Sequence, residues 1–239
     1  MKITAIVPSA GLGLRLKSKV AKPLVVIDKK PIFIHTLEKL SSVGIFEQII
    51  VGFNEKDLEK AEELINKGRL SKVKVVSGGS SRKETVKNCL EFVSDDTDLV
   101  LIHDGVRPFI DQKIINSVIE AAYKYKAAVV GVPMKSTVKK INLNELEIEA
   151  TLRRQEIWEI QTPQVFERKL IMRAYYQDIN NIEAPDDSFL VERLGHKVVL
   201  VLGSYFNIKI TTFEDLILAE AINRFLKRKD ESYKSWIRV

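Results

Sequence analysis

Short apolar runs alternate with amphipathic stretches along most of the chain. The apolar runs cover residues 3–7, 49–53, 73–76, 99–102 and 127–132. Helical periodicity lies between them, over residues 32–43, 58–65, 85–93 and 114–125. Near-continuous Val, Ile and Leu runs separated by amphipathic helices are typical of a parallel sheet that helices cover on both faces. The pattern predicts an α/β fold with a doubly wound, mostly parallel, Rossmann-like sheet.

The segment 134–152 breaks this rhythm. Residues 137–141 and 146–150 alternate apolar and polar side chains around the turn signal at 142–144, which predicts a β-hairpin. An isolated hairpin is marginal in water, so we expect residues 134–154 or so to form an arm that pairs with a second subunit of a homodimer. A solvated excursion is the alternative.

Length and composition fit one large α/β domain or two small ones, and we favour a single domain over residues 1–239. The remaining patterns predict helices at 169–177, 187–194 and 213–227 and a strand at 197–202, without an interdomain linker.

There is no apolar stretch of the ~20 residues that a membrane span needs, and the N-terminus lacks a secretory pattern. We therefore expect a cytoplasmic protein without a membrane partner. The single cysteine, Cys89, falls on the apolar side of a helical pattern and predicts packing, not metal binding or a disulfide.

The net charge of +6 attracts either nucleic acid or phosphorylated small molecules. Aromatic residues make up 8% of the chain and no base-stacking motif is present, so we expect no nucleic-acid partner. The three histidines have no metal-ligand spacing, and no metal site is predicted.

The segment 8–23, PSAGLGLRLKSKVAKP, has the composition of a phosphate-binding loop. Gly11 and Gly13 let a polyanion approach the backbone N–H groups, and Arg15 and Lys22 flank the same phosphates. The segment has neither the third glycine of a dinucleotide fingerprint nor the Gly-Lys-Ser/Thr of a P-loop. A surface loop with two solvated cations is the alternative.

Two further segments, 103–108 and 77–82, follow predicted strands, at the sheet edge where ligands of this fold class bind. Asp104 is placed to accept from sugar hydroxyls or support a magnesium shell, and Arg107 to bind a phosphate; an internal Asp104–Arg107 ion pair is the alternative. In the segment 77–82, SGGSSR, small residues leave room for a nucleobase beside exposed N–H groups. The alternative here is that Ser80 or Ser81 is a plain N-cap.

Lys209 lies between Ile208 and Ile210, in a context where a core strand avoids charge. A lysine in such a place usually has an anionic partner or extends to water. We expect an anionic partner.

Taken in order, the segments SAGLGLRL with AKP, GGSSRKETV, HDGVRP, Thr137, QTPQVF and NIKITTFEDLILAE resemble the cytidylyltransferases of the isoprenoid methylerythritol phosphate pathway, nearly end to end. The resemblance implies a nucleotidyltransferase fold and the transfer of CMP from CTP to 2-C-methyl-D-erythritol 4-phosphate, with release of pyrophosphate. It also implies Mg²⁺ carried with the CTP phosphates, and a homodimer formed through the hairpin.

The resemblance also assigns roles to individual residues. The implied catalytic cations are Arg15, Lys22, Arg154 and Lys209. The implied CTP contacts are Ser9, Ala10, Gly11, Leu12 and Gly13 for the triphosphate, Gly79, Ser80 and Thr85 for cytosine, and Asp104 and Gly105 near ribose and substrate. The implied polyol phosphate site is Arg107, Thr137, Arg154 and Thr162, with Thr137 and Arg154 serving the neighbouring subunit.

Several positions depart from the family pattern. Ser80 stands where many members carry an acid, Gly105 and Val106 replace two alanines, and Ser136 and Arg153 replace acids. Ribitol 5-phosphate, the acceptor of a related branch with the same fold, is therefore the alternative acceptor. A noncatalytic nucleotide-binding or nucleic-acid-binding module is the alternative from another class.

Overall fold

The computed structural model of the protein describes residues 1–11, 21–177 and 183–228. The strands in these ranges are β1 (Ile3–Pro8), β2 (Val26–Ile27), β3 (Lys30–Pro31), β4 (Gln48–Phe53), β5 (Val73–Ser77), β6 (Leu99–Ile102), β7 (Ala127–Pro133), β8 (Lys139–Asn142), β9 (Glu147–Thr151), β10 (Trp158–Glu167) and β11 (Val199–Leu202). The helices are α1 (Ile32–Val43), α2 (Leu58–Lys67), α3 (Arg82–Leu90), α4 (Gln112–Tyr125), α5 (Arg168–Tyr176), α6 (Asp187–Glu192) and α7 (Phe213–Arg228).

Within the described ranges, seven strands form one sheet in the order β11-β7-β10-β6-β1-β4-β5. β10 runs antiparallel to both of its neighbours, and every other neighbouring pair is parallel. The predicted α/β fold with a mostly parallel sheet is confirmed.

The sheet is covered on both faces because successive side chains of a strand point to opposite sides. In β1, Ala5 and Val7 pack into a core with α1, α2 and α4, whereas Ile6 packs into a second core with α3, α5 and α6. Cys89 is fully buried in the second core, and burial raises the pKa of its thiol to about 12. The interpretation of Cys89 as a packing residue is confirmed.

β10 is the element that apolar periodicity does not predict. Its middle carries Gln161, Thr162, Pro163 and Gln164, and a proline has no N–H for a strand ladder. The register of β10 against β7 shifts between Gln161 and Gln164, which accommodates Pro163 inside a central strand. The strand therefore buries polar side chains in the middle of the sheet.

The predicted hairpin is formed by β8 and β9, which pair antiparallel. Its apolar side chains are largely exposed: Leu143 is 84%, Leu146 78% and Ile148 61% accessible. The pairing of this hairpin with a second subunit stays a prediction. No helix within the described ranges combines the length and the apolar character that crossing a bilayer requires.

Candidate active site

A cavity of about 550 Å³ opens at the carboxyl ends of β1, β5 and β6, where ligands of open α/β sheets bind. Nine predicted site residues line it: Ser9, Ala10, Gly11, Lys22, Gly79, Ser80, Thr85, Asp104 and Lys209. Five others lie outside its lining: Gly105, Arg107, Thr137, Arg154 and Thr162. The remaining three, Leu12, Gly13 and Arg15, lie outside the described residues. The fold thus brings four separate predicted segments to one sheet edge.

Asp104 is the electrostatic centre of this cavity. Its Oδ1 accepts from Arg82 Nε at 2.8 Å, and its Oδ2 accepts from Lys209 Nζ at 2.8 Å. Arg107 Nε lies 3.5 Å from the same Oδ2. Burial would raise the pKa of this carboxyl, but the charges of Arg82, Lys209 and Arg107 hold it well below its ordinary value. Asp104 is therefore ionised and surrounded by cations.

These contacts test two predictions made from the sequence, the partner of Lys209 and the Asp104–Arg107 ion pair. The anionic partner expected for Lys209 is confirmed as Asp104. The internal Asp104–Arg107 ion pair is also present, and the buried Arg107 guanidinium additionally donates from Nη1 to the Asn207 carbonyl at 2.7 Å. The phosphate role of Arg107 stays a prediction.

Thr162 is fixed beneath Asp104 by a buried hydrogen-bond network. Its hydroxyl oxygen accepts from the Asp104 N–H at 3.0 Å and lies 3.0 Å from His103 Nδ1. His103 Nε2 lies 3.0 Å from the Arg107 carbonyl, which only accepts, so Nε2 carries the proton. The Thr162 hydroxyl then donates to Nδ1, and the neutral imidazole satisfies every partner. Burial lowers the pKa of His103 to about 4, which agrees with this neutral tautomer.

The shifted pKa of His103 predicts a loss of stability in mild acid. Between pH 6.5 and about 4 the unfolded chain takes up a proton at His103 and the folded chain does not, so the free energy of unfolding falls as the pH drops. At 1.36 kcal/mol per pKa unit, the contribution of this one group reaches about 3 kcal/mol. Urea unfolding at several pH values should show a shallower pH slope for His103→Gln than for the wild type. Equal pH slopes for the two proteins would contradict the assignment of His103 as a buried, neutral side chain with a lowered pKa.

The glycine-serine loop before α3 is held by side chains of the helix. Thr85 Oγ1 accepts from the Gly79 N–H at 3.0 Å and donates to the Ser81 carbonyl at 2.8 Å. Glu84 accepts from the N–H and hydroxyl of Ser80 at 2.7 and 2.5 Å, which lowers its pKa. Ser81 caps α3 by accepting from the Glu84 N–H, so the N-cap interpretation is confirmed for Ser81. A direct contact of this loop with cytosine stays a prediction.

Gly105 lies directly behind the cavity wall, against Ser9. A Cβ at position 105 would fall 2.1 Å from Ser9 Oγ. Ser9 is 3% exposed, and its hydroxyl is buried without a hydrogen-bond partner in the described part of the chain. The glycine at position 105 is thus required by the serine at position 9.

We expect Gly105→Ala to lower the free energy of unfolding by about 1–3 kcal/mol, the usual cost of overpacking a filled core. The double variant Ser9→Ala with Gly105→Ala should regain most of that loss, because it removes the hydroxyl that the new methyl group meets. Urea denaturation of the two single variants and the double variant measures this coupling. Additive effects would contradict the proposed clash.

Thr137 and Arg154 lie beside the hairpin, away from the cavity of their own chain. Both are exposed, and Arg154 Nη1 donates to the Lys135 carbonyl at 2.7 Å. Their contribution to a neighbouring subunit's site stays a prediction.

The sequence profile of 2-C-methyl-D-erythritol 4-phosphate cytidylyltransferase matches residues 3–224. The chain belongs to this family. A cytidylyltransferase of that name from Alkaliphilus metalliredigens is 41% identical over 239 aligned residues, covering 98% of both chains. Another from Syntrophus aciditrophicus is 41% identical over 232, covering 96% of this chain and 97% of the relative. The family resemblance and the assignment as a nucleotidyltransferase are confirmed.

Solved cytidylyltransferase structures share the fold. 4-Diphosphocytidyl-2C-methyl-D-erythritol synthase from Anaerococcus prevotii matches with a TM-score of 0.82 at 33% identity, covering 93% of this chain and 96% of that chain. The cytidylyltransferase from Thermus thermophilus matches with a TM-score of 0.78 at 29% identity, covering 94% and 100%.

Among the described charged residues that line the cavity, Arg82 is the one that the sequence analysis did not predict. It lines the cavity and binds Asp104 and the buried Asp187 through three of its N–H groups. One signal was available: Arg82 follows the capping serine directly, so it opens a helix that starts beyond a strand end. Its partner Asp187 lies 105 positions away and has no such signal.

Proposed function

We propose that this protein transfers CMP from CTP to 2-C-methyl-D-erythritol 4-phosphate, giving 4-diphosphocytidyl-2-C-methyl-D-erythritol and pyrophosphate in non-mevalonate isoprenoid biosynthesis. The observation that carries the proposal is the nearly full-length family match, together with a cationic cavity at the expected sheet edge. The relatives named above bear the methylerythritol phosphate name, so the ribitol phosphate alternative is not favoured. A cytoplasmic location is part of the proposal, because CTP is supplied there.

The chemistry requires two polyanions to meet. A phosphate oxygen of the polyol phosphate attacks the α-phosphorus of CTP in line, a new P–O bond forms, and the bond to the β-phosphate oxygen breaks as pyrophosphate leaves. The attacking group is already ionised at neutral pH, since its second pKa is about 6, and needs no general base. This suits a site in which His103 is neutral and has both ring nitrogens hydrogen-bonded.

The cavity residues supply the charge that this reaction needs. The described part of the lining carries three cationic side chains, Lys22, Arg82 and Lys209, and one carboxylate, that of Asp104. Lys22, with Arg15, is assigned to the triphosphate, and Lys209 to the attacking phosphate. Because Asp104 holds Lys209 in place before substrate binds, Lys209 stabilises the transferred charge without reorganisation.

Mg²⁺ enters the proposal as part of the nucleotide. The described residues contain no cluster of three or more His, Cys, Asp or Glu side chains placed to hold a metal ion. Asp104 has both oxygens hydrogen-bonded to cations, which leaves it poorly suited as a metal ligand. These features support a metal that is carried by the CTP phosphates.

The hairpin is assigned to a homodimer interface that brings Thr137 and Arg154 to the neighbouring site. Its exposed apolar side chains, Leu143, Leu146 and Ile148, support that assignment, since large apolar groups on a hairpin are rarely left in water.

The experiment is steady-state pyrophosphate release with Mg²⁺ and CTP, comparing 2-C-methyl-D-erythritol 4-phosphate with ribitol 5-phosphate. Release with the first acceptor and little with the second is the expected result. A preference for ribitol 5-phosphate would move the protein to the related branch, and no release with either acceptor would refute the enzyme assignment.

A further inference from the structure

A partly buried chain of hydrogen bonds runs from α5 and α6 to the cavity. Tyr175 donates its hydroxyl proton to Asp187 Oδ1 at 2.5 Å. Arg82 donates from Nη1 to Asp187 Oδ1 at 3.1 Å and from Nη2 to Oδ2 at 2.7 Å. Arg82 Nε then donates to Asp104 Oδ1, and Asp104 Oδ2 accepts from Lys209. Five side chains from five parts of the chain thus form one continuous network.

Asp187 is itself held rigidly. It is fully buried on the first turn of α6, and the flanking Asp186 caps that helix by accepting from the Phe189 N–H. Gln164 of β10 donates to Asp186 and accepts from the Ser188 N–H, both at 3.0 Å. The position of Asp187 is therefore set by the central sheet.

The contact of Asp187 with both Nη groups of Arg82 determines which edge of the guanidinium faces the cavity. Because Nη1 and Nη2 bind Asp187, Nε is the group that meets Asp104, and Asp104 Oδ2 is left to Lys209. A guanidinium without Asp187 would rotate to bind both oxygens of Asp104, since paired N–H groups favour the fork geometry of a carboxylate. That rotation would displace Lys209.

We propose that Asp187, oriented by Tyr175, is a positioning residue of the transferase site. It acts through Arg82 and Asp104 to hold Lys209 where the acceptor phosphate binds. The inference rests on the proposed function, because Lys209 is assigned there to the attacking phosphate.

The test compares Asp187→Asn and Tyr175→Phe with the wild type, measuring kcat/KM for the polyol phosphate and, separately, the CTP dissociation constant by calorimetry. Asp187→Asn should lower kcat/KM for the acceptor by about tenfold or more, since displacing a catalytic contact by an ångström is that costly. Tyr175→Phe should have a smaller effect in the same direction. CTP affinity should fall by a clearly smaller factor than kcat/KM for the acceptor in both variants, because the displaced group is Lys209, which is assigned to the acceptor phosphate.

Tyr176→Phe is the matched control. It removes the same hydroxyl from the next residue of α5, where the side chain is 49% exposed. It should leave every constant unchanged. If Asp187→Asn fails to fold, the comparison of acceptor kcat/KM between Tyr175→Phe and Tyr176→Phe tests the positioning role by itself.

Two outcomes would overturn the inference in different ways. Normal acceptor kinetics in Asp187→Asn and Tyr175→Phe, with only a lower melting temperature, would make Asp187 a structural residue. An inactive wild type would overturn the proposed function and this inference with it.

Discussion

Replacing Lys209 with alanine is expected to lower kcat/KM for the polyol phosphate by about 10²–10³-fold, the usual effect of removing one preorganised charge from a transition state. Lys209 lines the cavity, and its ammonium group is fixed by Asp104 before substrate arrives. Its removal leaves Asp104 paired with Arg82 and Arg107, so the protein should fold normally. Pyrophosphate release under single-turnover conditions measures the effect on the chemical step.

Lys113→Ala is the control for this substitution. Lys113 is an exposed lysine on α4, outside the cavity lining, and its loss should leave the rate unchanged. A Lys209→Ala enzyme with nearly full activity would contradict the assignment of Lys209 to the transferred charge.

Replacing Asp104 with asparagine is expected to lower the free energy of unfolding by about 3–5 kcal/mol, because removing one partner of a buried ion pair leaves uncompensated charge. Asp104 is 4% exposed and lies against Arg82, Arg107 and Lys209, which would then face an amide. Chemical denaturation at pH 7 measures the loss.

The loss of unfolding free energy caused by Asp104→Asn should depend on pH. The folded-state pKa of Asp104 lies below its ordinary value of 3.8, so its contribution to stability is present above that value and is lost as the pH falls further. The gap between wild type and Asp104→Asn should persist at pH 5 and shrink in stronger acid. Asp95→Asn is the control, since Asp95 is an exposed carboxylate whose partner is Arg168. An Asp104→Asn protein as stable as Asp95→Asn would show that the buried charges relax into solvent.

The parallel strands were predictable because each is a short apolar run whose side chains enter a core on one face or the other. Ala5, Ile6 and Val7 alternate between the two cores, so the whole run is apolar. β10 was not predictable in this way. Gln161 and Gln164 are buried there, and both are satisfied by distant groups, Ser204 for the first and Asp186 and Ser188 for the second. Local periodicity carries no information about such partners.

The site residues likewise divide into those that sequence motifs predict and those that depend on distant contacts. The glycine loop, Asp104 and Lys209 were predictable, because short motifs after strand ends converge on one edge of a parallel sheet. The pairing of Arg82 with Asp187 was not, since it depends on where α6 returns to the sheet. The constraint between Ser9 and Gly105 was hidden for a related reason, because it depends on a distance that the fold sets.

The most direct test of the central claim follows the α-phosphate of CTP. With CTP labelled at the α-phosphorus, 2-C-methyl-D-erythritol 4-phosphate and Mg²⁺, the label should appear in the diphosphocytidyl polyol product, while a γ-label should appear in pyrophosphate. An α-label that remains in CTP, or that appears in free CMP regardless of the polyol phosphate, would contradict the account.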